Sequence, residues 1–293
     1  MKVGSKGLDV RTLQQRLNKA GAKPQLVVDG WFGESTKAAV MAFQKAVGII
    51  PIGIAGPRTQ RALQGAVDPK QASQNDLQKA ADKLGVSLAV MAAVAEVESV
   101  GEGFFQTTGK PVILFERHVF HGRAKEAGIF EEAPDLESKY PNVCNPSPGG
   151  YAGGTAEYQR FKFASTLSAK TAKESCSWGM FQIMGYHWEL LGYDSVSQFV
   201  DAMHESEANH LDAVVRFILA QPEMHSALKQ KEWAEFAYRY NGPAYHRNLY
   251  DVKLQRAYEE SLEAFPESEP KEPAKKKPAA KRKPSRKSRS KQS

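Results

Sequence analysis

The stretch "SLAVMAAVAEVESVG", Ser87 to Gly101, carries two carboxylates, Glu96 and Glu98, near the end of an otherwise apolar run. Glutamate is rarely buried without a partner, so each must be either solvated surface or chemistry. Residues two apart on a helix lie about 200° apart around its axis, so the pair cannot face one site. Glu98 is the stronger candidate. Gly101 and Gly103 follow it and end the helix, and a carboxylate at the C-terminal end of a buried helix meets the negative end of the dipole. Desolvation and that dipole both favour the protonated form, which makes a general acid able to work near neutral pH. A second candidate is Glu116 in "KPVILFERHVF", where the apolar run Val112 to Phe115 leads a carboxylate to the edge of a core. Two carboxyl groups from separate segments are what glycosidic-bond hydrolysis requires. One protonates the leaving oxygen; the other activates water or stabilises the cationic transition state. For any single glutamate, a solvated surface position is the commoner outcome.

The elements that must carry these residues are largely helical. Apolar spacing predicts helices over 76–84, 87–99, 156–173, 178–191, 196–203, 207–221, 231–240 and 244–263, with a short extended piece at Val112–Phe115. "YPNVCNPSPGGYAGG", Tyr140 to Gly154, reads as a long Pro/Gly loop, and loops of this length in a compact domain are often functional. "GAVDPKQASQ", Gly65 to Gln74, reads as a polar linker. Four segments follow: a small domain at 1–65, the linker at 66–74, a larger domain at 75–265 and a tail at 266–293. The fold class is mainly α.

The 293 residues suffice for two modest domains. Their 41% apolar and 25% charged content is ordinary for a soluble protein. No apolar run is long enough to span a membrane, and the N-terminus has no apolar h-region of a secretory signal. Cys144 and Cys176 are too few for a disulfide scaffold and are expected to be free thiols. From Glu267 to Ser293 there are eleven Lys or Arg against three Glu, a net +8 that exceeds the whole chain's +7 and leaves the remainder at −1. Without large apolar residues this tail cannot bury a core and should be disordered. It is either a solubiliser or an electrostatic tether to lipopolysaccharide, anionic lipid or nucleic acid. No aromatic residue interleaves its cations, so a stacking nucleic-acid platform is not supported.

The first 65 residues hold an internal repeat. Gly4, Gly7, Val10 and Leu13 recur as Gly30, Gly33, Thr36 and Ala39, and again as Gly53, Gly56, Thr59 and Ala62. Each copy sets a glycine turn before a helix, and Pro57 suits a first helical position. A three-helix domain follows. "GSKGLDVRTLQQRLNKAG" and "DGWFGESTKAAVMAFQ" resemble the peptidoglycan-binding domain type 1, with Asp29, Gly30, Phe32, Gly33, Thr36, Phe43 and Gln44 at that family's motif positions. The resemblance implies cell-wall attachment.

In the larger domain, "ESVG" (Glu98 to Gly101), "SWGMFQIM" (Ser177 to Met184) and "AYRYNGPAY" (Ala237 to Tyr245) occur in that order. They resemble the lysozyme-like superfamily, which includes goose-type lysozymes and soluble lytic transglycosylases. One departure is Gly242, which directly follows Asn241 and precedes Pro243. More narrowly, "ILFERHVF", "SWGMFQIMGYHWELLGY" and "EFAYRYNGPAYHRNLYDVKLQRAY" resemble the N-acetylmuramidase domain of endolysins from phages of Gram-negative bacteria. This resemblance implies that Glu98 and Glu116 are the catalytic pair and that the substrate is peptidoglycan, met by both domains. The goose-type likeness points to an inverting outcome. With no signal sequence read at the N-terminus, the endolysin resemblance also implies cytoplasmic synthesis in the host and holin-type release to the periplasmic wall. Gln182, an uncharged donor and acceptor, Tyr240, with a flat face and a hydroxyl, and Asn241, on a turn, are candidate substrate contacts. They could equally just build turns and core.

Three other readings stand beside the muramidase. A lytic transglycosylase would need Glu98 alone. A metal-dependent amidase or peptidase would draw on His118 and His121, with His187, His204 and His210 elsewhere, but no H-E-x-x-H helix is present. A non-catalytic wall-binding protein would need only the first domain. The muramidase reading expects no cofactor, no metal and a monomer.

Overall fold

A computed structural model describes residues 1–99 and 102–267. The tail expected at 266–293 therefore lies, apart from Pro266 and Glu267, outside the described residues. Three helices form first: α1 (Leu8–Lys19), α2 (Glu34–Ala46) and α3 (Pro57–Ala62). They close on a core of Val10, Leu13, Leu17, Leu26, Phe32, Val40 and Ala55. The three glycine turns of the repeat stand before these helices, as the sequence predicts.

Next come α4 (Gln74–Leu84) and α5 (Leu88–Glu98). Ser73 and Asp76 cap α4 reciprocally, and Gly85 ends it in the left-handed region. Ser87 caps α5 by accepting from the Val90 N–H. The α5 helix is buried nearly all round, from Ala89 to Ala95 and again at Glu98. Its alanines let α15 (Tyr250–Ala264) and α4 pack closely against it. Fully burying Val90, Met91 and Val94 contributes roughly 1.5–3 kcal/mol each. That outweighs the cost of carrying one carboxylate at the helix end.

A small antiparallel sheet, in the order β1-β2-β3, is built from β1 (Ile113–Phe115), β2 (Cys176–Trp178) and β3 (Ile183–Met184). Ile113 pairs with Trp178 and Phe115 with Cys176. Helix α6 (Arg117–Glu126) leaves the end of β1, and two single turns follow, α7 (Ile129–Glu132) and α8 (Leu136–Lys139). The rest of the larger domain is α9 (Glu157–Leu167), α10 (Ala169–Glu174), α11 (Val196–Glu205), α12 (Glu207–Leu219), α13 (Pro222–Gln230) and α14 (Trp233–Asn241). Cys144 and Cys176 are buried and unbridged.

Two predicted elements are corrected. The helix expected over 178–191 is the end of β2, a turn, β3 and a 3-10 turn. The physical reason lies in Gly179 and Gln182, both in the left-handed region that interrupts a helix. The helix expected over 156–173 breaks at Ser168, whose extended backbone ends α9 and whose hydroxyl caps α10. α6 was not anticipated, because its apolar spacing is weak.

The two domains are in contact. Ile50 and Ile52, past the end of α2, join the larger domain's apolar cluster. Arg58 pairs with Glu207 at 2.6 Å, and Arg61 with Glu102 and Lys37 with Glu263 form further ion pairs.

Candidate active site

Glu98 is the last residue of α5, and only 8% of its surface is exposed. The Asn241 amide, at the end of α14, donates to both of its carboxylate oxygens at 3.1 Å. Burial pushes the Glu98 carboxyl up from 4.5 to about 7, against the opposing pull of the Asn241 hydrogen bonds and the Lys253 charge. The protonated acid is therefore populated at neutral pH. Tyr240 adjoins Asn241 in sequence, and its hydroxyl lies within 3.5 Å of the Phe181 carbonyl. Burial, and then the nearby Glu98 charge, drives that hydroxyl well above the ordinary tyrosine range. Glu96, by contrast, is exposed. It lines the cleft at the junction with the first domain, where partial desolvation and then the Glu260 charge raise its carboxyl. The 200° argument thus separates the two glutamates in the structure as it does in the sequence.

Glu116 occupies the N-cap position of α6, directly after β1. The Tyr151 hydroxyl donates to it at 2.9 Å, and His118 Nδ1 approaches the same oxygen at 3.2 Å. Burial, then the bond to Glu116, raises the Tyr151 hydroxyl. Tyr151 lies in the long loop 140–154, which is fastened from both sides. Arg117 donates to the carbonyls of Pro141, Ser147 and Pro148. Arg160 donates to those of Phe115 and Asn142 and pairs with Glu157 at 2.7 Å. Glu157 accepts from the N–H groups of Ala152 and Gly153. Burial alone would raise the Glu157 carboxyl, but those N–H donors and Arg160 together hold it below its ordinary value. Loop 140–154 is therefore a braced platform that delivers Tyr151 to Glu116.

Glu98, Tyr240 and Asn241 thus form one cluster, and Glu116, His118 and Tyr151 another. No hydrogen bond links the two carboxylates among the described residues. The Gln182 amide donates to the carbonyls of Gly179 and Val112 and accepts from the Ser177 hydroxyl, so it braces the β2–β3 turn. Its neighbour Phe181 supplies the carbonyl facing Tyr240. The candidate substrate contacts therefore carry internal work: Asn241 holds Glu98 and Gln182 holds the turn.

His210 is a further organiser. It is buried, its Nδ1 accepts from the Met180 N–H at 3.1 Å, and its Nε2 lies 2.8 Å from the Met203 carbonyl. Burial lowers it to about 4, so it is neutral with the proton on Nε2. Gly103 and Gly179 pack on its ring, and a Cβ at either would come within 3.0 Å of ring atoms. His118 and His121 diverge, the latter turning to Glu137 at 3.4 Å. Among the described residues no three His, Cys, Asp or Glu side chains converge as metal ligands. Sequence reasoning missed Tyr151, Arg117, the Glu157–Arg160 pair and the role of His210; the Pro/Gly loop was the one signal that pointed towards the first of these.

The model of the N-acetylmuramidase family matches residues 87–262. The chain belongs to the N-acetylmuramidase family. Its muramidase region contains Glu98, Glu116, Gln182, Tyr240 and Asn241, and a peptidoglycan binding domain model matches residues 6–63. The crystal structure of the Burkholderia AP3 phage endolysin is similar over 90% of this chain and 99% of that one, with a TM-score of 0.85 and 49% identity. The zinc D-Ala-D-Ala carboxypeptidase of Streptomyces albus G is 53% identical over 57 residues, 19% of this chain and 22% of that protein. A probable N-acetylmuramoyl-L-alanine amidase of Bacillus licheniformis is 43% identical over 67 residues, 22% of this chain and 19% of that protein. The muramidase chain thus spans about a fifth of the length of these curated relatives. No helix among the described residues is long and apolar enough to cross a membrane.

Proposed function

We propose that the chain is an endolysin that hydrolyses the β-1,4 bond from N-acetylmuramic acid to N-acetylglucosamine in peptidoglycan. The observation that carries this reading is Glu98: a buried carboxyl raised to about 7 at a helix end, held on both oxygens by Asn241. Glu98 protonates the glycosidic oxygen as the bond breaks. Glu116, oriented by Tyr151, activates the attacking water on the far face of the sugar, with inversion. Tyr240, a candidate for its flat face and hydroxyl, packs against Phe236 and Phe217 beside the acid. Asn241 and Gln182 act first on protein groups, and any contact they make with substrate is secondary.

The division at 1–65, 66–74, 75–265 and 266–293 gives each part a task. The first domain anchors the enzyme on the wall, and exposed Trp31, 53% accessible with the Lys6 ammonium over its ring, is its contact platform. The basic tail tethers the chain to anionic lipopolysaccharide or lipid. The protein works as a monomer, made in the host cytoplasm and released by a holin-type route to the periplasmic wall.

A second reading draws on the separateness of the two carboxylate clusters: a lytic transglycosylase that uses Glu98 alone, the sugar's own hydroxyl attacking. Mass spectrometry of digested, purified peptidoglycan decides between them. Hydrolysis leaves a muramic-acid end that borohydride reduces. Anhydro products lighter by one water, with no reducible end, would establish the transglycosylase instead.

A further inference from the structure

The copies of the repeat that begin at Gly30 and Gly53, hereafter the first and second repeats, are built alike. In the first, the Gln14 amide donates to the Trp31 carbonyl at 3.0 Å and to the Thr36 hydroxyl at 3.2 Å, and accepts from Gly30 N–H at 3.0 Å. In the second, Gln44 makes the same three bonds with Ile54, Thr59 and Gly53, at 2.9, 2.8 and 3.0 Å. Their surroundings differ. Trp31 opens to solvent beside a groove lined by Pro24, Gln25 and Val27. Its counterpart Ile54 lines a cleft of about 220 Å³ against the larger domain, opposite Ala92, Ala95 and Met180. Where the first copy has Ser35 and Ala38, the second has Arg58 and Arg61.

Those two arginines reach the chain that leaves the catalytic helix. Arg61 pairs with Glu102, four residues past Glu98. Arg58 pairs with Glu207, which is 1% exposed, and the same Glu207 oxygen accepts from the Gly103 N–H at 2.7 Å. The other Glu207 oxygen accepts from Ala72 N–H at 2.9 Å, next to the α4 cap. Gly103 lies on the His210 ring, and His210 fixes Met180, the neighbour of Phe181, whose carbonyl faces Tyr240. These contacts join the second repeat to Glu102 and Gly103 on one side and, through His210 and Met180, to the neighbour of the Phe181 carbonyl that faces Tyr240 on the other.

We propose that the second repeat has been diverted from wall binding to positioning the catalytic site: Arg58 and Arg61 are positioning residues that fix Glu102 and Gly103 behind Glu98. The first repeat alone is left to meet the wall. The wall-binding domain is then a working part of the muramidase and not only its anchor. This inference rests on the assignment of Glu98 as general acid.

The test uses the full chain and soluble, uncrosslinked glycan strands, with sedimentation on purified sacculi as a separate readout of wall binding. The double variant Arg58→Ala/Arg61→Ala should lose on the order of tenfold or more in kcat on soluble strands, with little change in KM, as displaced catalytic groups do. Its sedimentation with sacculi should match the parent. Arg61→Glu should show part of the same loss, and Arg61→Glu/Glu102→Arg should recover most of it. Turnover on soluble strands equal to the parent's in the double variant would overturn the inference, as would a charge swap that restores nothing. Glu98→Gln run alongside keeps the two ideas apart. If it stays active, the general-acid reading fails; if it is inactive while the arginine variants are unaffected, only the positioning role fails.

Discussion

Replacing Glu98 by Gln should make the protein more stable and, at the same time, inactive. The carboxyl is raised from 4.5 to about 7 in the folded chain, chiefly by burial. A raised carboxylate pKa means that the folded state binds the proton more tightly than the unfolded state. The group's ionisation therefore costs nothing in stability below about pH 4.5, costs progressively more as pH rises, and costs its full amount above about pH 7. At 1.36 kcal/mol per unit, the shift corresponds to about 3 kcal/mol of destabilisation in the alkaline range. Glutamine keeps the shape and an acceptor for Asn241 but never ionises. Glu98→Gln should then unfold at higher temperature than the parent at pH 8.5, by roughly 5–10 °C for a domain of this size. At pH 4.5 the two curves should nearly coincide. Thermal melts across this range by circular dichroism, with turnover measured in parallel, make the comparison. A stability difference that is the same at both pH values would refute the reasoning, because it would have nothing to do with an ionising buried carboxyl.

Other outcomes follow from the same geometry. Asn241→Ala removes the donors that favour ionised Glu98, so the alkaline limb of the pH–rate profile should move to higher pH while turnover drops about tenfold from lost positioning. Tyr151→Phe deletes the only hydroxyl bonded to Glu116 among the described contacts. It should lower turnover by about tenfold with the melting temperature nearly unchanged, and parent-like kinetics on purified peptidoglycan would remove Glu116 from the mechanism. Glu96→Gln should retain most activity in a turbidity assay, since Glu96 is exposed and turned from the site. Trp31→Ala should weaken sedimentation with sacculi and leave cleavage of soluble strands intact.

Much of this was legible in the sequence for identifiable physical reasons. The apolar run Ser87–Val97 with a cap at Ser87 specifies a buried helix, and helical geometry alone sets Glu96 and Glu98 on different sides. The glycine turns of the first domain need no tertiary information, and Val112–Phe115 shows its strand through its apolar residues. What escaped depends on contacts between distant segments. The turn after Trp178 looks helical by apolar spacing, but it is held open by Gln182 bonding to Val112 O, 70 residues away. Tyr151 meets Glu116 across 35 residues only because Glu157 and Arg160 clamp the intervening loop. The bond from Asn241 to Glu98 spans 143 residues, so Asn241 read as a turn residue facing substrate and not as a partner of the acid. Arg58 and Arg61 carry no local signal in the sequence; their meaning depends on how the two domains meet.

The claim at the centre of this account is that Glu98 carries a proton near neutral pH and gives it to the glycosidic oxygen. The most direct measurement is the titration of the Glu98 carboxyl itself, by carbon-detected NMR of glutamate-labelled full-length protein, with Glu98→Gln to assign the resonance. The predicted result is a midpoint near 7 that coincides with the alkaline limb of turnover on soluble glycan strands. A midpoint near 4.5, or an alkaline limb that does not follow the Glu98 resonance, would contradict it.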